Sequence, residues 1–185
     1  LKGGSGVILI GLFSIILGYF YTAGPYALAY TGLGDFFVIL FFGIVAVATT
    51  YFLHTKAVDT NSLIAGLQVG FLAAVLIAIN NLRDIVGDAK VNKKTIPVRF
   101  GVNFAKFEIA TFVFLPFLLG LHWIHLGMIG PGLLPLLGLF LARDIVKGIL
   151  AHEPGTIYNR YLARAALLQV LFGTLFLMGL MLWKT

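Results

Sequence analysis

The chain has no cysteine, so disulfides and thiol chemistry are excluded and the redox compartment cannot be read from it. It is also poor in charge. Only 11% of its 185 residues are Asp, Glu, Lys or Arg, where a soluble domain is nearer a quarter. Just seven residues are acidic, so the net charge is +6. In place of charge there is oil: 60% hydrophobic residues and a mean hydropathy of +1.02. Such a chain is a membrane protein before any motif is read. Its basic excess belongs to loops on one side of a bilayer rather than to a nucleic-acid partner.

A span needs about 20 mostly apolar residues, and six candidates are expected, near 7–21, 35–53, 63–80, 104–121, 127–142 and 165–183. Backbone groups in lipid must bond internally, so the spans are helices and the fold class is all-α, a polytopic transmembrane bundle forming one domain over 1–185. The Gly-rich stretches "GLFSIILG" and "LFGTLFLMG" are expected to allow close helix packing. No charged leader precedes the first apolar run, and "LKGGSGV" reads as a loop entering a helix, as if continuing something upstream.

Orientation follows from the cations. Arg83, Lys90, Lys93, Lys94, Arg99 and Lys106 follow the third span, and Arg143, Lys147, Arg160 and Arg164 follow the fifth. Lys2, Lys56 and Lys184 lie on the other side. Ten against three places the charged side in the cytoplasm of a multi-pass cell-membrane protein. Asp35 and Asn103 are placed to cap the second and fourth spans, and Arg143 and Asp144 to end the fifth.

One segment breaks the oil: "NNLRDIVGDAKVNKKTIPVRFG", residues 80–101. Asp84 and Asp88 are four apart, hence on one helix face, where two carboxylates repel unless something positive sits between them. Magnesium is commonly held by one or two carboxylates together with substrate phosphates. Arg83, Lys90, Lys93, Lys94 and Arg99 could bind phosphate oxygens. The pattern suits a diphosphate at a membrane surface. The plain structural reading is a solvated loop whose charges only set topology, and D-x-x-x-D alone does not decide between them.

The same segment resembles the second aspartate-rich motif of the UbiA family of membrane aromatic prenyltransferases, through Asn80, Arg83, Asp84, Asp88, Lys93, Thr95, Val98, Arg99 and Gly101. "GYFYTAGPYALAYTGLGDFFVILFFG" and "GTIYNRYLARAALLQVLFG" resemble the 1,4-dihydroxy-2-naphthoate prenyltransferase branch of menaquinone synthesis. The three blocks occur in the family's order over most of the chain. Asn92 stands where the family has Gly, and Asn tolerates positive φ, so the turn is expected to survive. The family's first motif, N-D-x-x-D-x-x-x-D, has no match. The six spans then correspond to the family's spans four to nine, with three more expected upstream of Leu1 and residues 1–185 alone expected to be inactive.

The resemblance implies magnesium-dependent transfer of a polyprenyl group from its diphosphate to dihydroxynaphthoate. Carbon dioxide and a proton are lost, giving demethylmenaquinone. It makes Asp84 and Asp88 the catalytic and metal-binding residues, and Arg83, Lys93, Lys94 and Arg99 diphosphate contacts. Asn80, Tyr21, Tyr26 and Tyr30 are candidate substrate-pocket residues, against a plain reading of the tyrosines as interfacial anchors. His122 and His125, without acids or thiols nearby, read as interfacial rather than metal-binding, and Asn159 receives no role. Competing readings are another aromatic acceptor, a transporter with interior ionisable groups of which Glu108 is the nearest candidate, or a noncatalytic half that pairs with another chain.

Overall fold

A computed structural model describes residues 4–22 and 28–183. The described residues are almost wholly helical: α1 (Gly4–Thr22), a 3-10 turn (Leu28–Tyr30), α2 (Gly34–Val38), a π-helical stretch (Ile39–Val45), α3 (Ala46–Thr55), α4 (Thr60–Arg83), α5 (Ile85–Lys90), α6 (Ile96–His125), α7 (Ile129–Leu133), a 3-10 segment (Leu134–Gly138), α8 (Leu139–Ala151) and α9 (Tyr158–Leu182). Among the described residues, five uninterrupted helical runs are long and apolar enough to cross a membrane, namely α1, the run Gly34–Thr55, α4, α6 and α9. This is the architecture of a multi-pass membrane protein.

The fifth expected span is present as a broken helix. Pro131 and Pro135 lack the N–H that an α-helix interior needs, and the run tightens to 3-10 over Leu134–Gly138 before α8 resumes. It does not end at Arg143 and Asp144. Instead α8 runs on to Ala151, and Asp144 pairs with Arg164 of α9.

The core joins α4, α6, α8 and α9 through Leu72, Ile79, Ile109, Ile145, Ile149 and Leu168, all fully buried. The expected close packing through glycine falls elsewhere than "GLFSIILG". Gly11 and Gly18 face open space, and none of the described side chains of α1 is buried. The tight seam is Gly43 against Gly66 and Gly70, where a Cβ on Gly43 would lie 2.6 Å from the Gly70 Cα. Within "LFGTLFLMG" only Gly179 makes such an approach, to Gly130.

Local signals set the helix ends. Asp59 and Ser62 form a reciprocal capping box at the start of α4, with Ser62 N–H donating to Asp59 Oδ1 at 2.8 Å. Gly101, at φ 83° and ψ 171°, separates the first turn of α6 from its long body. Asn103 makes no capping hydrogen bond there. Nor does Asp35 cap its helix: Leu33 occupies the cap position, and Asp35 is buried within the first turn with Oδ1 unpartnered.

Candidate active site

The site begins where α4 stops. Asp84 leaves helical geometry at φ −96° and ψ 12°, and α5 then places Asp88 one turn on, its N–H donating to the Asp84 carbonyl at 2.9 Å. The two carboxylates therefore sit on one side of a bent helical rod. Each has its own cation. Arg83 grips Asp84 with two parallel bonds, Nε to Oδ1 at 2.8 Å and Nη2 to Oδ2 at 2.6 Å. Lys93 Nζ donates to Asp88 Oδ2 at 3.0 Å and reaches Asn81 Oδ1 at 3.4 Å. The hydrogen-bonded Arg83 guanidinium holds the Asp84 carboxyl below the usual aspartate range.

Backbone geometry brings Lys93 to Asp88. Asn92 adopts φ 55°, the left-handed turn expected of it, and the Lys93 N–H donates to the Asp88 carbonyl at 2.9 Å. The chain then crosses the loop before α2. The Lys94 N–H donates to the Tyr30 carbonyl at 2.9 Å, and Arg99 Nε donates to the Lys94 carbonyl at 3.0 Å. Gly32, at φ 78°, lets this crossing happen, since a Cβ there would lie 2.7 Å from the Lys94 carbonyl oxygen. From the far end of the chain, Asn159 Oδ1 accepts from Arg83 Nη1 at 2.7 Å. All three motif blocks thus meet at residues 80–99.

The six acid and base candidates are brought together, and they divide. Arg83 and Lys93 engage the carboxylates. Lys94 and Arg99 are exposed, and among the described residues no carboxylate pairs with either. Asn80 works through Arg83, its Oδ1 accepting from Nη2 at 2.8 Å. Tyr30 contributes its carbonyl while its ring is exposed. Tyr21 lines a cavity, and its hydroxyl would meet a Cβ on Gly34 at 3.0 Å. Tyr26 lies outside the described residues. His122 Nε2 is 2.8 Å from Asn61 Oδ1, which accounts for it structurally.

That cavity holds about 960 Å³ between α1, the helical run 34–55, α4 and α9, walled by Phe37, Phe41, Phe42 and Leu76 among others. On α4, Ala73, Leu76 and Ile77 face it. Asn80 and Asp84 follow Ile77 by three and seven residues, so they continue the same helix face. The α4 face that lines the apolar cavity therefore leads on toward the acid–base cluster.

Sequence reasoning missed Asn81 and Asn159 as polar supports; it named Asp35 as a cap, Thr95 as a motif residue and Glu108 as a candidate interior ionisable group, but not that all three would carry a buried oxygen here. Asp35 Oδ1, Thr95 Oγ1 and Glu108 Oε2 are buried without a hydrogen-bond partner. The only signal for Asp35 was an acid at the edge of an apolar run, which reads equally well as a cap.

Two carboxylates one turn apart fit the part of a magnesium site that a protein supplies when phosphate oxygens and water complete it. Among the described residues no group of three or more His, Cys, Asp or Glu side chains could hold a metal without such help.

Fold and site together define a helical membrane protein with an acid–base cluster and an apolar cavity. The chain belongs to the UbiA prenyltransferase family, whose profile matches residues 1–162. It is 30% identical over 181 residues to 1,4-dihydroxy-2-naphthoate octaprenyltransferase of Haemophilus influenzae, covering 94% of this chain and 56% of that relative. It is 36% identical over 96 residues to the enzyme of the same name from Escherichia coli, covering 52% and 31%. A 2-carboxy-1,4-naphthoquinone phytyltransferase of Synechocystis is 32% identical over 95 residues, covering 51% and 31%. At most, the chain spans about half the length of these relatives.

Proposed function

We propose that the protein transfers a polyprenyl group from a polyprenyl diphosphate to 1,4-dihydroxy-2-naphthoate, a step of menaquinone synthesis, with magnesium as cofactor and the charged end facing the cytoplasm. The observation that carries this is the shared helix face: Leu76 and Ile77 line an apolar cavity, and Asn80 and Asp84 continue it into the acid–base cluster. An amphiphile with an apolar tail and a diphosphate head needs this arrangement. The names of the relatives, two of them naphthoate prenyltransferases, support the choice of acceptor.

In this reading Lys94 and Arg99, exposed beside the paired acids, bind diphosphate oxygens. Lys93 and Arg83 hold Asp88 and Asp84 in place, and Asn80 and Asn159 in turn fix Arg83. Magnesium held by Asp84 and Asp88 supplies positive charge against the departing diphosphate. The cavity keeps the allylic carbon and the aromatic ring away from water while the new carbon–carbon bond forms. Tyr21, on the cavity wall, offers a ring face to developing positive charge.

The test is product identification. Membranes containing the protein expressed from its full reading frame are given a polyprenyl diphosphate, dihydroxynaphthoate and magnesium. Demethylmenaquinone is expected by mass spectrometry, and chelation is expected to abolish it. A product formed with hydroxybenzoate or homogentisate but not with dihydroxynaphthoate would overturn the acceptor. No prenylated product with any acceptor would overturn the reaction.

A further inference from the structure

A second concave surface lies away from the acid cluster, between α6 and α8. It is a groove of about 480 Å³ lined by Phe114, Arg143, Val146, Lys147, Leu150 and Ala151. Its two cations are four apart on α8, hence one above the other, an arrangement that is unfavourable for like charges without a counter-ion. Both are exposed, and neither has a hydrogen-bond or ion-pair partner among the described residues. The nearest acid in sequence, Asp144, is taken by Arg164. The floor is apolar: Phe114, on the membrane-crossing α6, is half-buried, and Leu150 of α8 is 57% exposed.

We propose that this groove binds an anionic phospholipid, with its phosphate between Arg143 and Lys147 and an acyl chain along Phe114, Val146 and Leu150. Charge selects the occupant. A zwitterionic lipid brings no net negative charge to the two cations, and a soluble anion gains nothing from the apolar floor. Basic pockets between helices at a bilayer face are suited to such headgroups. The long Arg and Lys stems can lie along the apolar surface while their heads reach the phosphate layer. The inference stands apart from prenyl transfer and needs no turnover to be tested.

The experiment is native mass spectrometry of the full chain in detergent, titrated in parallel with phosphatidylglycerol and phosphatidylcholine. Wild type is expected to retain phosphatidylglycerol on the order of tenfold better. R143Q/K147Q is expected to retain one phosphatidylglycerol fewer than wild type. L150W keeps both charges but fills the groove, and is expected to lose the same molecule. Equal retention of the two lipids by wild type would overturn the proposal, as would an unchanged count of bound phosphatidylglycerol in both variants. Displacement of that lipid by equimolar farnesyl diphosphate would assign the groove to the substrate and overturn it too.

Discussion

The two ends of the helical bundle handle buried polarity in opposite ways. At the end that carries Asn61 and His122, polar side chains are matched. Gln68 donates to the Pro116 carbonyl at 2.8 Å and accepts from Trp123 Nε1 at 2.9 Å. Asp59 caps α4 and also accepts from Tyr51 at 3.0 Å. At the charged end, Asp35, Thr95 and Glu108 each bury an oxygen with no partner, beside a partly exposed Arg83–Asp84 pair and a largely buried Lys93–Asp88 pair. Polar groups whose only role is structural are satisfied by the fold. Groups left unsatisfied close to a candidate site mark where something else is expected to bind.

That contrast is open to breakage. The largest effect is expected from Asp88→Ala or Asp84→Ala, a loss on the order of 10²-fold in prenyl transfer with little change in melting temperature. Arg83→Met comes next. It removes the bonds to Asp84, Asn80 and Asn159 together, and about 10–100-fold in magnesium affinity or activity is expected to go with them. At the opposite end, Gln68→Leu strands the Trp123 N–H and removes the side-chain donor from the Pro116 carbonyl. We expect about 1–3 kcal/mol of destabilisation by thermal melting and unchanged turnover per folded molecule. A loss of turnover without a loss of stability would show that the two ends are not divided in this way.

The smallest effect is on pH dependence, and it compares two aspartates. Arg83 lowers Asp84, and the Ser62 backbone N–H lowers Asp59. A carboxyl whose folded value is depressed contributes stability above its unfolded value, about 3.9, and loses it as pH falls through the folded value. Both contributions are therefore complete at neutral pH and fade only in acid. Added salt should weaken the contribution of Asp84, a partly exposed ion pair, more than that of Asp59, a backbone cap. Because the Asp84 side chain is 41% exposed, Arg83→Met is expected to shift stability by only about 0–1 kcal/mol.

Much of this was legible in the sequence. Hydrophobic runs located the helices, and the motif at 80–101 marked the candidate site, with the left-handed turn at Asn92 as expected. What was not legible is what long-range contacts decide. Nothing local shows that Asn159 will hold Arg83, 76 positions away, or that Tyr30 will accept from Lys94. The sequence offers Arg83 and Lys93 as diphosphate contacts without showing the carboxylates and amides they also engage, and Asp35 looked like a cap. Pro131 and Pro135 did signal the break in the fifth span, but a count of apolar residues hides it. Gly11 and Gly18 looked like packing glycines because spacing alone does not say which helix, if any, will face them.

The most direct measurement is the magnesium dependence of prenyl transfer by the full-length protein carrying Asp88→Asn, beside wild type. This change keeps the shape of the side chain and removes its charge. The account predicts a folded protein with the wild-type melting temperature, a strongly raised magnesium requirement and a loss of turnover. Wild-type turnover at wild-type magnesium concentrations would contradict it, and would return the charged end to the role of a solvated loop.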